Sequence, residues 1–435
     1  MTNPRRAVVT ALMKQEKSGY SNLVLSHALN EFDGTPRDKA FVSAAFYGTT
    51  ERLLTLDFLL QKHLAKPLCK LDAEVRAILR SGLYQARFME SVPAACAIDE
   101  AVKLTRQMGK SSASGMVNAI LRKASVFDLA AETFANETQR LSVLYSTSVP
   151  IVRLLQEKLP AICEQLLQAS FTQPALCIRV NTLKTTCAEV EDAFAKQSVL
   201  TQRGTVENSL YVQYQGDITA TKMFKRGYFH VQGEASQLAC SALHPQKGER
   251  VIDLCAAPGG KSATLAQYMQ NSGVLLCADV AQNRLPLIET LLARNDITCA
   301  KVLHHDASVY SDAFANADAV LCDVPCSGLG LLAKKPDIRQ KTLAEIDQLT
   351  QLQAQILDTA SRYVKHGGRL VYSTCTINPD ENETIVAAFL KLHPEFKAVK
   401  VENVPDGTVN CESFVTLYPI YVKTDGFFVA SLERL

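Results

Sequence analysis

The chain has 435 residues, 47% of them apolar and 21% charged, a balance that excludes a wholly disordered, collagen-like or low-complexity protein. No apolar run reaches about 18 residues, so no membrane-spanning helix is expected. The net charge of +2 hides an asymmetry: residues 1–150 carry 19 Lys/Arg against 14 Asp/Glu, whereas residues 236–435 carry 18 against 22.

A basic N-terminal third suits a polyanionic partner, although an ordinary solvated helical surface carries the same charge. At about 150 residues per domain the length suggests about three domains. Arg5 and Arg6 precede a short apolar stretch, but Lys14 ends it too early for a signal peptide. A cytoplasmic protein is expected. The 13 cysteines are odd in number and scattered, with no Cys-x-x-Cys pair. They fit reduced core thiols rather than a disulfide scaffold or a zinc site, so no metal is expected.

In chain order, residues 1–145 read as helices. Val75, Ile78, Leu79 and Leu83 repeat at helical spacing, as do Ala97, Ile98, Ala101, Val102 and Thr105. Gly34-Thr35-Pro36 and Ser91-Val92-Pro93 read as turns. Residues 146–235 read as a small α+β module, with strands at 176–181 and 210–212 and a helix at 188–196. From residue 236 to the end, strands and helices alternate, which argues for a parallel sheet with helices on both faces. The strands are expected at 250–254, 274–278, 301–303, 319–322 and 369–372, and a C-terminal β-hairpin at 414–418 and 427–432.

The polar residues of this last region fall at strand ends, where ligands bind in open α/β sheets. The first strand runs into Asp253-Leu254-Cys255-Ala256-Ala257-Pro258-Gly259-Gly260-Lys261, a small-residue turn leading to a helix. Small residues admit close approach of a ligand to the backbone, and the helix start presents free N–H groups. The glycine spacing is neither that of a P-loop nor that of the dinucleotide fingerprint, which argues against a polyphosphate ligand. A ligand-free tight turn is the competing explanation. Asp279 closes the second strand, placed to accept hydrogen bonds from ribose hydroxyls, and Asp306 follows the third, placed for an exocyclic amine of adenine. Single aspartates at strand ends are more often helix caps, but several in register describe a pocket for an adenosine cofactor without pyrophosphate. S-adenosylmethionine fits. Asp323-Val324-Pro325-Cys326-Ser327-Gly328 and Ser373-Thr374-Cys375 each put a cysteine at a strand end. Core packing is the commoner role of a cysteine, but a thiolate with a lowered pKa is an effective nucleophile, and Lys261 is the candidate cation for lowering it.

Cys255 to Lys261, the Pro325-Cys326 motif and the Thr374-Cys375 motif together resemble the motif set of the RNA cytosine-5 methyltransferases, the Nol1/Nop2/Sun family. Arg179-Val180-Asn181-Thr182 and Val231 to Gln237 resemble segments just ahead of that family's catalytic domain. Val75 to Arg80 and Val117 to Arg122 resemble the helical, RNA-binding NusB fold. The combination is similar to bacterial members of the family that act on 16S ribosomal RNA. The resemblance implies a multidomain chain: an all-α NusB-like domain (1–145), a small α+β RNA-binding module (146–235) and a Rossmann-like class I methyltransferase domain (236–435).

The resemblance also implies roles. Cys375 is the nucleophile that adds to C6 of cytosine, and Cys326 assists collapse of the adduct. Cys255, Ala256, Ala257, Pro258, Gly259, Gly260, Lys261, Asp279, Asp306 and Asp323 line the S-adenosylmethionine pocket, and Asp323 also holds the cytosine at N3. Arg284 matches a family arginine whose role stays unassigned. The implied partner is 16S ribosomal RNA, bound through the basic N-terminal region, with the protein a monomer. Ser308 departs from the pattern, standing where an arginine is expected. Two other readings remain: an exocyclic-amine methyltransferase on the same fold, which would not need two crevice thiols, and an RNA-binding assembly or antitermination factor whose methyltransferase domain is vestigial.

Overall fold

The computed structural model describes residues 3–18, 21–411 and 414–435. The chain divides into two compact units, Met1–Gln168 with Lys335–Thr342, and Ala169–Lys334 with Leu343–Leu435. Among the described residues no helix is long and apolar enough to cross a membrane.

The first unit is helical, as its apolar spacing predicts. It contains α1 (Pro4–Ser18), α2 (Ser21–Glu31), α3 (Pro36–Glu51), α4 (Leu53–Gln61), α5 (Ala73–Phe88), α6 (Ala94–Gln107), α7 (Ser114–Ser125), α8 (Glu137–Leu144) and α9 (Val149–Lys158), and α10 (Cys163–Ala169) leads out of it. Val75, Ile78, Leu79 and Leu83 of α5 are buried in one core with Val117, Ile120 and Leu121 of α7. Asn118 and Arg122 lie on the other side of α7 and bond each other at 3.1 Å. The expected turn at Gly34-Thr35-Pro36 starts α3 with a capping box: the Thr35 hydroxyl accepts from the Asp38 N–H and the Asp38 carboxylate accepts from the Thr35 N–H. The distant segment 335–342 is part of this unit. Asp337 accepts from the Ser21 N–H at 3.1 Å, the Ser21 hydroxyl at 2.6 Å and Gln15 Nε2 at 3.0 Å. Arg339, 1% exposed, donates to the Tyr145 carbonyl at 2.9 Å.

Strands begin only at Cys177, so helices fill the start of the region read as α+β. A four-stranded antiparallel sheet has the order β2 (Thr201–Arg203), β3 (Ser209–Val212), β1 (Cys177–Val180), β4 (Phe229–Val231), with α11 (Cys187–Ala195) and α12 (Lys222–Lys225) between its strands. Its core is Ile178, Val180, Val190, Phe194, Leu210 and Phe229. This sheet is joined to the rest of the second unit by buried polar side chains from the two segments that the sequence singled out. Arg179 donates to Gln267 Oε1 at 2.9 Å, and Asn181 Nδ2 donates to the carbonyls of Gly227 and Asn295 at 2.8 and 3.1 Å. Gln232 Oε1 accepts from the Thr264 hydroxyl at 2.6 Å.

The larger sheet follows α13 (Glu234–Leu243). Strands β7 (Ala300–His304), β6 (Val274–Asp279), β5 (Arg250–Asp253), β8 (Ala317–Asp323) and β9 (Val364–Thr374) pair in that order and in parallel. The sheet is mixed rather than wholly parallel. The C-terminal hairpin of β12 (Phe414–Leu417) and β13 (Phe427–Arg434) forms as expected, and β13 runs antiparallel beside β9. One half of β13 pairs with β12 and the other with β10 (Phe396–Val399), while β11 (Val409–Cys411) closes the edge on β12. A parallel partner for β9 needs a crossover, whereas this hairpin enters by a short return, which reverses its direction.

Helices α14 (Gly260–Tyr268), α15 (Leu285–Arg294), α16 (Leu343–Ser361) and α17 (Glu383–Leu392) complete the fold. Side chains alternate between two cores: Val251, Leu275, Cys277 and Leu321 pack in one, and Ile252, Leu276, Val320 and Cys322 in the other. Burial on both faces explains why these strands read as continuous apolar runs. From β5 the chain winds outward through β6 and β7, then returns as β8 on the other side of β5. That reversal leaves a crevice at the carboxyl ends of β5 and β8.

Candidate active site

The turn from β5 to α14 lines the crevice. Gly259 has φ +104°, and a Cβ there would lie 3.0 Å from Cα of Ile288 in α15, so the site requires glycine. The turn is pinned from two sides. The Ala256 N–H donates to the Ala278 carbonyl and the Ala257 N–H to Oδ2 of Asp279, both at 2.9 Å. Asp279, 5% exposed, also accepts from the Ala281 N–H through Oδ1 at 2.9 Å. Each carboxylate oxygen therefore has one protein donor and keeps a lone pair for a ligand hydroxyl. Arg284 donates to the Ala257 carbonyl at 2.7 Å and stands 4.0 Å from Asp279. It clamps the turn, a role its sequence position alone did not assign. Cys255 is half-buried and its thiol is pushed well above its ordinary pKa by burial, so it packs as a neutral side chain. Pro258 is exposed and Gly260 half-buried at the mouth of the turn.

Beneath the turn lies Asp253, fully buried, accepting from the Ser262 hydroxyl at 2.7 Å. Burial pushes its pKa up to about 7, against the opposing pull of the Ser262 hydrogen bond and Lys261. Lys261 reaches Asp323 at the end of β8, Nζ to Oδ2, at 2.6 Å. Burial pulls the Lys261 pKa down, but the Asp323 carboxylate more than offsets this and the net shift is upward. The Ser373 hydroxyl donates to the other oxygen of Asp323 at 2.9 Å, so the ends of β8 and β9 are tied at the crevice.

Asp306 stands one strand further out and is exposed. Its Oδ1 accepts from both the N–H and the hydroxyl of Ser308, at 2.9 and 2.7 Å, which lowers its pKa. The serine that departs from the family pattern thus folds back on this carboxylate. Oδ2 has no hydrogen-bond partner among the described residues. Val280, directly after Asp279, is 62% exposed, an apolar surface beside the carboxylate. Its place directly after a strand-end aspartate is the signal by which it can be found in the sequence.

Cys326 and Cys375 follow adjacent strands, and their sulfurs are 3.2 Å apart, in hydrogen-bond contact and unbonded. Lys261, the candidate cation, donates its amine to Asp323. The groups that act on Cys326 are Cys375, Glu381 and Asp323. The hydrogen bond with Cys375, then burial, then these acidic neighbours hold its thiol well above its ordinary pKa.

An open sheet whose parallel strands meet a reversed strand at β13, carboxylates at its switch point and a thiol pair beside them point to the class of Rossmann-like methyltransferases. Residues 240–433 match the family model described as 16S rRNA methyltransferase RsmB/F, and residues 2–125 match that of the NusB family. The chain is 31% identical to the probable ribosomal RNA small subunit methyltransferase B of Bacillus subtilis, over 100% of this chain and 99% of the relative. It is 32% identical to the Synechocystis protein of the same description, over 96% of each. The crystal structure of PH0851 superposes with a TM-score of 0.85 at 28% identity, covering 100% of this chain and 99% of that one. The chain belongs to the ribosomal RNA small subunit methyltransferase B family.

Proposed function

We propose that this chain methylates C5 of a cytosine in 16S ribosomal RNA, using S-adenosylmethionine and a covalent adduct between Cys375 and C6 of the base. The observation that carries this reading is the pair of thiols, not joined as a disulfide and 3.2 Å apart at the ends of adjacent strands, beside a crevice of carboxylates. An amine-methylating site has no use for such a pair.

The crevice suits the cofactor by its chemistry. Asp279 and Asp323 repel a polyphosphate but suit the positive charge of a sulfonium. Asp279 would hold the ribose hydroxyls, Val280 would pack on the adenine and Asp306 Oδ2 would take its exocyclic amine. Cys255, Ala256, Ala257, Pro258, Gly259, Gly260 and Lys261 would form the wall. S-adenosylmethionine supplies, when bound, an electrophilic methyl group. Cys375 Sγ adds to C6 as its thiol proton passes to N3, which makes C5 nucleophilic, and the Asp323 carboxylate accepts a hydrogen bond from the N3–H. After transfer Cys326, as its thiolate, takes the C5 proton, the C5–H electron pair re-forms the C5=C6 bond, and Cys375 leaves as a thiolate. The target base must leave any helical stack, at a cost of a few kcal/mol unless it is already unpaired. The basic residues of 1–145 and the module 146–235 would hold the RNA backbone. The chain would work as a cytoplasmic monomer and need no metal.

Wild type, Cys375→Ala and Cys326→Ala are incubated with methyl-labelled S-adenosylmethionine and unmodified 16S ribosomal RNA. Bisulfite sequencing maps the product and a denaturing gel detects adducts. Wild type should methylate one cytosine at C5, Cys375→Ala should give neither product nor adduct, and Cys326→Ala should accumulate adduct. Inert Cys326→Ala with active Cys375→Ala would reverse the roles. Two active mutants would favour amine methylation, and an inactive wild type that binds RNA would favour a vestigial domain.

A further inference from the structure

Glu381 lies in the short turn between β9 and α17, six residues after Cys375, and is fully buried. Among the described residues no lysine or arginine pairs with it. An ionised carboxylate in such a place is costly unless hydrogen bonds satisfy it. Here they do. Oε2 accepts from the Ser327 N–H at 2.7 Å and from Gln353 Nε2 at 3.0 Å. Oε1 accepts from the Ser327 hydroxyl at 2.5 Å, Asn378 Nδ2 at 3.1 Å and the Thr376 hydroxyl at 3.3 Å.

The identity of the donors gives these bonds their meaning. Ser327 is the residue directly after Cys326, and Thr376 is the residue directly after Cys375. Gln353 bonds the carbonyl of Pro325, just before Cys326, at 3.0 Å. The hydroxyls of Ser327 and Thr376 also meet each other at 2.8 Å. One buried carboxylate thus grips both cysteine loops. We propose that Glu381 is a positioning residue that holds the Cys326 and Cys375 thiols in register, so that the covalent intermediate is released after methyl transfer. This rests on the thiol chemistry of the preceding section. Ser327 makes two of the bonds and Thr376 only the longest, so loosening the grip frees the Cys326 loop first.

Full-length Glu381→Gln and Ser327→Ala are compared with wild type, Cys326→Ala and Cys375→Ala on 16S ribosomal RNA with S-adenosylmethionine. The readouts are kcat, KM for both substrates and the fraction of protein in an RNA adduct that survives denaturation. Glu381→Gln should lose about 100-fold in kcat with both KM values within about twofold, and should accumulate adduct as Cys326→Ala does. Ser327→Ala should move in the same direction by about tenfold. It decides the matter alone if Glu381→Gln does not fold. Wild-type turnover in both variants overturns the proposal. So does lost activity with no adduct and both KM values raised, the pattern of a purely structural role. If Cys375→Ala is itself active, the thiol mechanism fails and the proposal falls with it.

Discussion

Asp253 is a buried acid whose folded pKa of about 7 lies above its ordinary value of 3.8. The shift comes first from burial, with Ser262 and Lys261 opposing and Asp323 and Asp279 adding to it. The folded state therefore holds a proton that the unfolded chain has lost, and stability from this group falls as pH rises from about 4 to about 7. Above that window its contribution is constant. Asp253→Asn, always neutral, should gain in Tm relative to wild type as pH rises from 4 to 7, measured by calorimetry at several pH values. A constant difference across that range would contradict the assignment. Of the site residues, the strand-end aspartates and both cysteines were legible because each sits at a break in an apolar run. Glu381 was not, because a glutamate in a polar turn looks solvated until the fold shows that it is buried.

At the scale of elements, the β5–α14 turn could be read from its small residues, but the arrangement of the loop after Cys326 could not. Gly330 in that loop donates its N–H to the Cys375 carbonyl at 3.1 Å and accepts from the Gly426 N–H at 3.0 Å. A Cβ at Gly330 would lie 2.0 Å from the Gly426 carbonyl oxygen, a backbone atom that cannot swing aside. Gly330→Ala should therefore cost about 1–3 kcal/mol, read from the urea midpoint, and lower methyl transfer by separating the two cysteine loops. An unchanged midpoint would show that the loops are not packed this closely. The strands of the larger sheet were placed by their apolar runs and flanking polar residues. The direction of the last ones was not, because pairing partners lie far apart in the chain.

At the scale of the whole molecule, each compact unit has its own core, so thermal unfolding should resolve into two transitions. Segment 335–342 belongs to the first unit although it lies deep in the second half of the sequence. Asp337→Ala removes the acceptor for Ser21 and Gln15 and should lower only the first unit's transition, by about 1–3 kcal/mol. A shift confined to the other transition would place the segment wrongly. Local pattern alone determined the helical first part, the alternating last part, the crevice carboxylates and the two thiols. Periodicity and strand ends are properties of neighbouring residues. Only the tertiary structure decided that Lys261 pairs with Asp323, that Arg284 clamps a turn, that β13 runs against β9, and that Glu381 joins the cysteine loops. Each of these is a contact between residues distant in sequence, and its geometry exists only once the chain has folded.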